Sequence, residues 1–190
     1  MYVASLKEAD RDLLWRGTTR RADGSWGVDV MPGYPHLIRQ LLEVANGREP
    51  TGASAARMAK LAPAGFAHLA TLIESNSRTT AIYSNSSGRH LMITEWKFVT
   101  DGARICVYEE FLNANVAGSR ATLSLASSRT TGDKGAMWKV SWIDARSETQ
   151  YELYVEEQLV PAGAPSMSAT SVLELARSLA SHAAPHVLKP

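Results

Sequence analysis

His90-Leu-Met-Ile-Thr-Glu-Trp-Lys-Phe-Val-Thr100 and Ala103-Arg-Ile-Cys-Val-Tyr-Glu-Glu-Phe-Leu112 alternate apolar and polar residues, are rich in β-branched and aromatic side chains, and flank Asp101-Gly102. Alternation with a period of two puts successive side chains on opposite faces of a strand. Asp-Gly between two such runs signals a hairpin, because a type I′ turn needs positive φ at both central residues. The expected register sets Met92 opposite Phe111, Trp96 opposite Val107 and Phe98 opposite Ile105, which gives one apolar face. Glu95 with Tyr108, Lys97 with Cys106 and Val99 with Arg104 then form a mixed, wet face.

The same alternation returns downstream. In Ala136-Met-Trp-Lys-Val-Ser-Trp-Ile-Asp144, Trp138, Val140 and Trp142 share a face, with Lys139 and Ser141 opposite. In Thr149-Gln-Tyr-Glu-Leu-Tyr-Val-Glu156, Tyr151, Leu153 and Val155 share a face, with Glu152 and Glu156 opposite. Both runs read as half-buried strands joined through Ala145-Arg-Ser-Glu148. Ala121–Ser127 and Thr79–Ser84 are shorter strand candidates. A meander of about five antiparallel strands, covered on one face, accounts for the pattern.

Helices supply the cover. Ser5-Leu-Lys-Glu8 and Ser171-Val-Leu-Glu174 have the capping-box form, in which a hydroxyl and a carboxylate satisfy amide donors of the first turn. The first opens a helix through Leu13, Leu14 and Trp15; the second opens one carrying Leu175, Ala176, Leu179, Ala180 and Ala183 until Pro185. His36 to Asn46 places Leu37, Ile38, Leu41, Leu42 and Ala45 on one stripe and stops at Gly47. Ala53 to Leu61 and Ala64 to Glu74 read as further helices, the latter with Phe66, Leu69, Ala70 and Ile73 inward. Helices, then sheet, then one closing helix packed on the sheet is an α+β order. The expectation is one α+β domain over residues 1–190, helical to about 75, sheet from about 79 to 157, and closing helix from about 171 to 184.

With 190 residues, 45% of them hydrophobic, such a chain buries roughly 70% of its extended surface. A net charge of +1 gives no electrostatic reason to expect nucleic acid or an anionic membrane, and Arg16, Arg20 and Arg21 are too small a cluster to change that. No run approaches the length of a membrane span, and no charged-then-apolar leader opens the chain. One cysteine, Cys106, allows no intrachain disulfide, which fits the cytoplasm and equally an extracytoplasmic location after removal of a signal.

Catalytic patterns are weak. His182 and His186 have metal-ligand spacing, but Pro185 intervenes, and His36 and His68 are isolated; no metal and no cofactor are assigned. Thr130-Thr-Gly-Asp-Lys-Gly135 resembles a phosphate loop but leads into a strand instead of a helix. Glu95, Glu109, Glu110, Glu152, Glu156 and Glu157 lie on aromatic strands, where a pair about 5 to 9.5 Å apart would suit glycoside hydrolysis. Adjacent Glu109 and Glu110 point to opposite faces.

The expectation is therefore a protein-binding domain without catalysis, of the inhibitor, immunity-type or extracytoplasmic sensor and accessory kind common in bacteria. Its candidate contact residues are Trp26, Tyr34, Glu95, Tyr108, Glu110, Tyr154, Asp133 and Lys134. A carbohydrate-active hydrolase using strand carboxylates, and a carrier with a pocket lined by Trp96, Trp138 and Trp142, are the alternatives.

Overall fold

The computed structural model describes residues 2–4, 18–30, 34–45, 53–128, 135–158 and 165–183. In chain order these form β1 (Tyr2–Ala4), β2 (Thr18–Arg20), β3 (Trp26–Val30), α1 (Leu37–Ala45), α2 (Ala53–Lys60), β4 (Phe66–Ile73), β5 (Arg78–Asn85), β6 (His90–Trp96) and β7 (Cys106–Tyr108). Then follow β8 (Ala114–Val116), β9 (Ser119–Ser128), β10 (Gly135–Asp144), β11 (Thr149–Gln158) and α3 (Ala169–Ala183). Short 3-10 turns precede α1 at Tyr34–His36 and follow β7 at Glu109–Phe111. The chain is α+β, with a large, mostly antiparallel sheet and, among the described residues, three α-helices.

Among the described residues the sheet has nine strands, in the order β2-β3-β9-β10-β11-β6-β5-β4, with β8 also on β9. This corrects the expected five. Only β3 runs parallel to its neighbour β9 within this sheet. β1 and β7 make a separate parallel pair.

Strands β9, β10 and β11 follow the expected alternation, and their register joins the odd residues of β11 to the even residues of β10. Trp138 stands opposite Val155, Val140 opposite Leu153 and Trp142 opposite Tyr151. These side chains, with Leu123 and Leu125 of β9, Leu91 and Ile93 of β6 and Ala81 and Tyr83 of β5, form the main core. α3 closes it with Val172, Ala176 and Leu179, and α2 with Met58. Burying an aliphatic side chain of this size contributes about 1.5–3 kcal/mol.

The opposite face is not bare. Met92, Ile82, Met137 and Tyr154 pack there against Ile38 of α1, with Leu37, Leu41 and Leu42 beside it, so the stripe read in residues 37–45 is the buried one. α1 covers only part of this face.

Three local expectations are overturned. The Asp101-Gly102 hairpin does not form: β6 pairs with β5 on one side and β11 on the other, so neither edge is open to residues 103–112. Residues 97–103 instead form a helical turn closed as a Schellman motif, with Ala103 N donating to Phe98 O, Gly102 N to Val99 O, and Gly102 at φ 67°. Phe111 and Val107 therefore do not meet Met92 and Trp96, and both faces of β6 are buried.

Residues 66–73 form a strand, not a helix. Its register slips between His68 and Ala70, and this β-bulge switches the alternation, so Phe66 packs on the main core whereas Ala70, opposite Ile82, and Leu72 face the α1 side. Leu69 and Ile73, expected inward, are exposed. Finally, α3 begins before Ser171. Ser168 is its N-cap, its Oγ accepting from Ser171 N at 3.1 Å, and Ser171 occupies the third helical position. The helix expected over residues 5–15 lies outside the described residues.

Candidate functional site

The face opposite the main core carries a row of polar side chains where α1 stops covering it. Alternation along β10 and β11 places Lys139, Ser141, Gln150, Glu152 and Tyr154 on this side, and cross-strand pairing extends the row to Thr94 of β6 and Thr80 of β5. Lys139 Nζ lies 2.7 Å from Glu152 Oε1 and 5.1 Å from the centre of the Tyr154 ring. The Tyr154 hydroxyl donates to the other oxygen of Glu152 at 3.0 Å. Gln150 donates to Ser141 Oγ at 3.1 Å, and Thr80 and Thr94 share a 2.9 Å bond. Thr80 also donates to Glu74.

These interactions fix charge states. Burial alone would depress the Lys139 pKa, but the Glu152 carboxylate and the Tyr154 hydroxyl outweigh it and hold it above the ordinary lysine value. Burial, reinforced by Glu152, raises the Tyr154 phenol. Near neutral pH Lys139 is a cation and Tyr154 a neutral donor, and neither acts as a base. The tract offers oriented hydrogen-bonding groups to a neighbour.

Above it, at the α1 end, Glu156 accepts from Arg39 Nε at 2.5 Å and meets His90 Nδ1 at 2.8 Å. Ser84 stands opposite His90 across β5 and β6. No hydrogen bond joins the two, so the serine–histidine contact that nucleophilic catalysis uses is not made.

Below the tract, the same face of β10 presents Ile143, and here a groove of about 520 Å³ opens. It is lined by Phe98, Val99, Gly102 and Ala103 of the helical turn, by Ile143 and Ala145, and by Arg104 and Glu148. Asp101 braces the turn from behind by accepting from Ser77 Oγ at 2.7 Å and Trp96 Nε1 at 2.8 Å.

The sequence-derived candidates scatter. Tyr154 and Tyr34 fall beside this tract, Tyr154 buried and Tyr34 half-buried against the α1 cluster. Glu95 belongs to the other face, where it is buried and paired with Arg57 of α2. This reverses the wet face expected of it, because odd residues of β6 point into the main core. Trp26 is buried too, stacked edge-on against Phe111 with Arg20 over its ring. The loop before it is pinned by Asn113, which donates to Gly24 O at 2.9 Å. Trp26 is therefore a core plug, not an exposed anchor. Tyr108 and Glu110 are half-buried on β7 and the turn after it, apart from the polar tract. Asp133 and Lys134 lie outside the described residues.

The alternative lining of Trp96, Trp138 and Trp142 does not converge either. Trp138 and Trp142 are packed in the main core, with Trp142 stacked on Tyr151, whereas Trp96 lies on the opposite face. Among the described residues no group of three or more His, Cys, Asp or Glu side chains is placed to hold a metal ion. No helix among them is long and apolar enough to cross a membrane.

Alternation alone puts Lys139, Ser141 and Glu152 on the outer side of their strands but does not join them into a site. The signal was present in the alternation; the missing element was the order of the strands.

The fold and this tract define an α+β protein with one closed sheet face and one half-open polar face. Comparison of the chain with family models, with curated proteins and with solved structures finds no match.

Proposed function

We propose that the chain is a protein-binding domain that uses the open half of the second sheet face, with no catalytic step of its own. The observation that carries this reading is the tract Lys139, Ser141, Gln150 and Glu152, half-exposed and backed by the buried Tyr154, whose donors and acceptors are already oriented by one another. Such pre-ordering lowers the cost of immobilising side chains on association.

The carboxylate arrangement favours binding over glycoside hydrolysis. Glu95 and Glu152 face opposite sides of the sheet. Glu152 and Glu156 are four residues apart on one strand, about 13 Å by strand rise, beyond the roughly 5 to 9.5 Å the hydrolytic pair needs. Each also has its own cation: Arg57 for Glu95, Lys139 for Glu152 and Arg39 for Glu156.

The test is affinity capture from an extract of the source organism by wild type, by Ser141→Arg/Gln150→Arg and by Tyr108→Ala. The two arginines change half-exposed positions without opening the core. A stoichiometric protein retained by wild type and Tyr108→Ala and lost by the double variant supports the reading. Equal retention by all three, or no retained protein, removes it.

A further inference from the structure

We infer that the groove beside the β10–β11 turn binds a small zwitterion with an apolar body, an apolar α-amino acid or a short apolar peptide with free termini. Its volume of about 520 Å³ lies within the roughly 300–1,000 Å³ range of small-molecule clefts. The wall is apolar at Phe98, Val99, Ala103, Ile143 and Ala145, and carries one cation, Arg104, and one anion, Glu148.

Those two charges distinguish the groove. Around it carboxylates are occupied: Glu152 by Lys139, Asp101 by Ser77 and Trp96, and Asp144 by Arg146 N and Ser147. Arg104 and Glu148 line one groove, yet they form no ion pair with each other or with any other described residue. Each is left to meet charge from outside. A guanidinium matches a carboxylate through two parallel N–H donors, and a carboxylate matches an ammonium. A ligand bridging both must carry an anion and a cation about an apolar centre, which is the chemistry of an apolar amino acid or of peptide termini.

Glu148 provides a second observation. Its φ is 50°, a left-handed conformation that glycine or asparagine adopts more readily. Backbone strain of this kind concentrates at ligand clamps, and here it sits on the residue whose carboxylate lines the groove. The site is separate from the polar tract and does not depend on a protein partner.

The experiment is calorimetric titration of the full chain with L-phenylalanine, L-leucine and the dipeptide Leu-Phe, each compared with its C-terminal amide and its N-acetyl derivative. The expected result is binding of at least one parent compound, weakened roughly tenfold or more by either modification. Arg104→Gln should cause a loss like that of amidation and make the protein indifferent to it; Glu148→Gln should do the same for acetylation. The tighter of amino acid and dipeptide reports the spacing of the two charges. Both variants alter exposed side chains, and unchanged circular dichroism confirms their fold. No binding by any parent compound, equal binding of the amides, or unchanged affinity in both variants overturns the inference. A protein partner captured through Ser141 and Gln150 would survive that failure, so the two proposals fall separately.

Discussion

Among the described residues two that are not glycine have positive φ, Ala117 at 49° and Glu148 at 50°. Ala117 and Gly118 form the two-residue turn between β8 and β9, so a true tight hairpin occurs at Ala-Gly and not at Asp101-Gly102. Glu148 ends the four-residue turn between β10 and β11. A left-handed conformation costs an L-residue about 1–2 kcal/mol, and glycine returns part of that gain through its greater unfolded-state freedom. Glu148→Gly should therefore raise stability by about 0.5–1 kcal/mol, a melting temperature increase of about 1–3 °C. An unchanged or lower midpoint in a thermal scan would show that the turn is not strained. The same variant should weaken zwitterion binding, separating stability from ligand contact at one residue.

At the scale of elements, α3 tests where a helix starts. Ser171 and Glu174 satisfy the capping-box spacing, yet Ser168 is the residue that caps, and its carbonyl accepts the first helical bond from Val172 at 3.2 Å. The turn before α3 is tied down by Glu157, whose oxygens accept from Ser166 Oγ at 2.7 Å and Met167 N at 2.8 Å. Those bonds set the chain direction ahead of Ser168 and so choose between two serines. Ser168→Ala should cost about 1 kcal/mol in urea denaturation, and Ser171→Ala a few tenths. The reverse ranking would restore the later start. Strand β4 makes the complementary point: Phe66, Leu69, Ala70 and Ile73 have helical spacing, yet pairing with β5 puts them on no common face.

At the scale of the molecule, the sheet is a divider between two apolar layers, and α2 is held to it by a buried charge pair. Glu95 is 4% exposed and meets the partly exposed guanidinium of Arg57, while the Tyr83 hydroxyl donates to Met58 O in the same helix. Removing one member leaves the other charge uncompensated. Arg57→Met should destabilise by about 1–3 kcal/mol, less than a fully buried pair because Arg57 reaches water. Adding Glu95→Leu should recover at least half of that loss. A double variant no more stable than the single one in urea denaturation would mean that packing, not charge, holds α2.

Period-two alternation in Ala121–Ser127, Ala136–Asp144 and Thr149–Glu156 was enough to mark strands and the residues that share a face, and with the helical stripes it gave the α+β class. Helical spacing likewise gave the inner stripe of α1, because a helical face is set by spacing along one segment. Strand order was decided only in the tertiary structure. β6 accepts two neighbours and no more, and once β5 and β11 fill its edges the local hairpin signal at Asp101-Gly102 has no partner. That competition moved Glu95 into the core. It also brought Lys139, Ser141, Gln150 and Glu152 together with Thr94. Side-chain periodicity is a property of one strand, whereas a site built across four strands depends on which hydrogen-bonding edges meet.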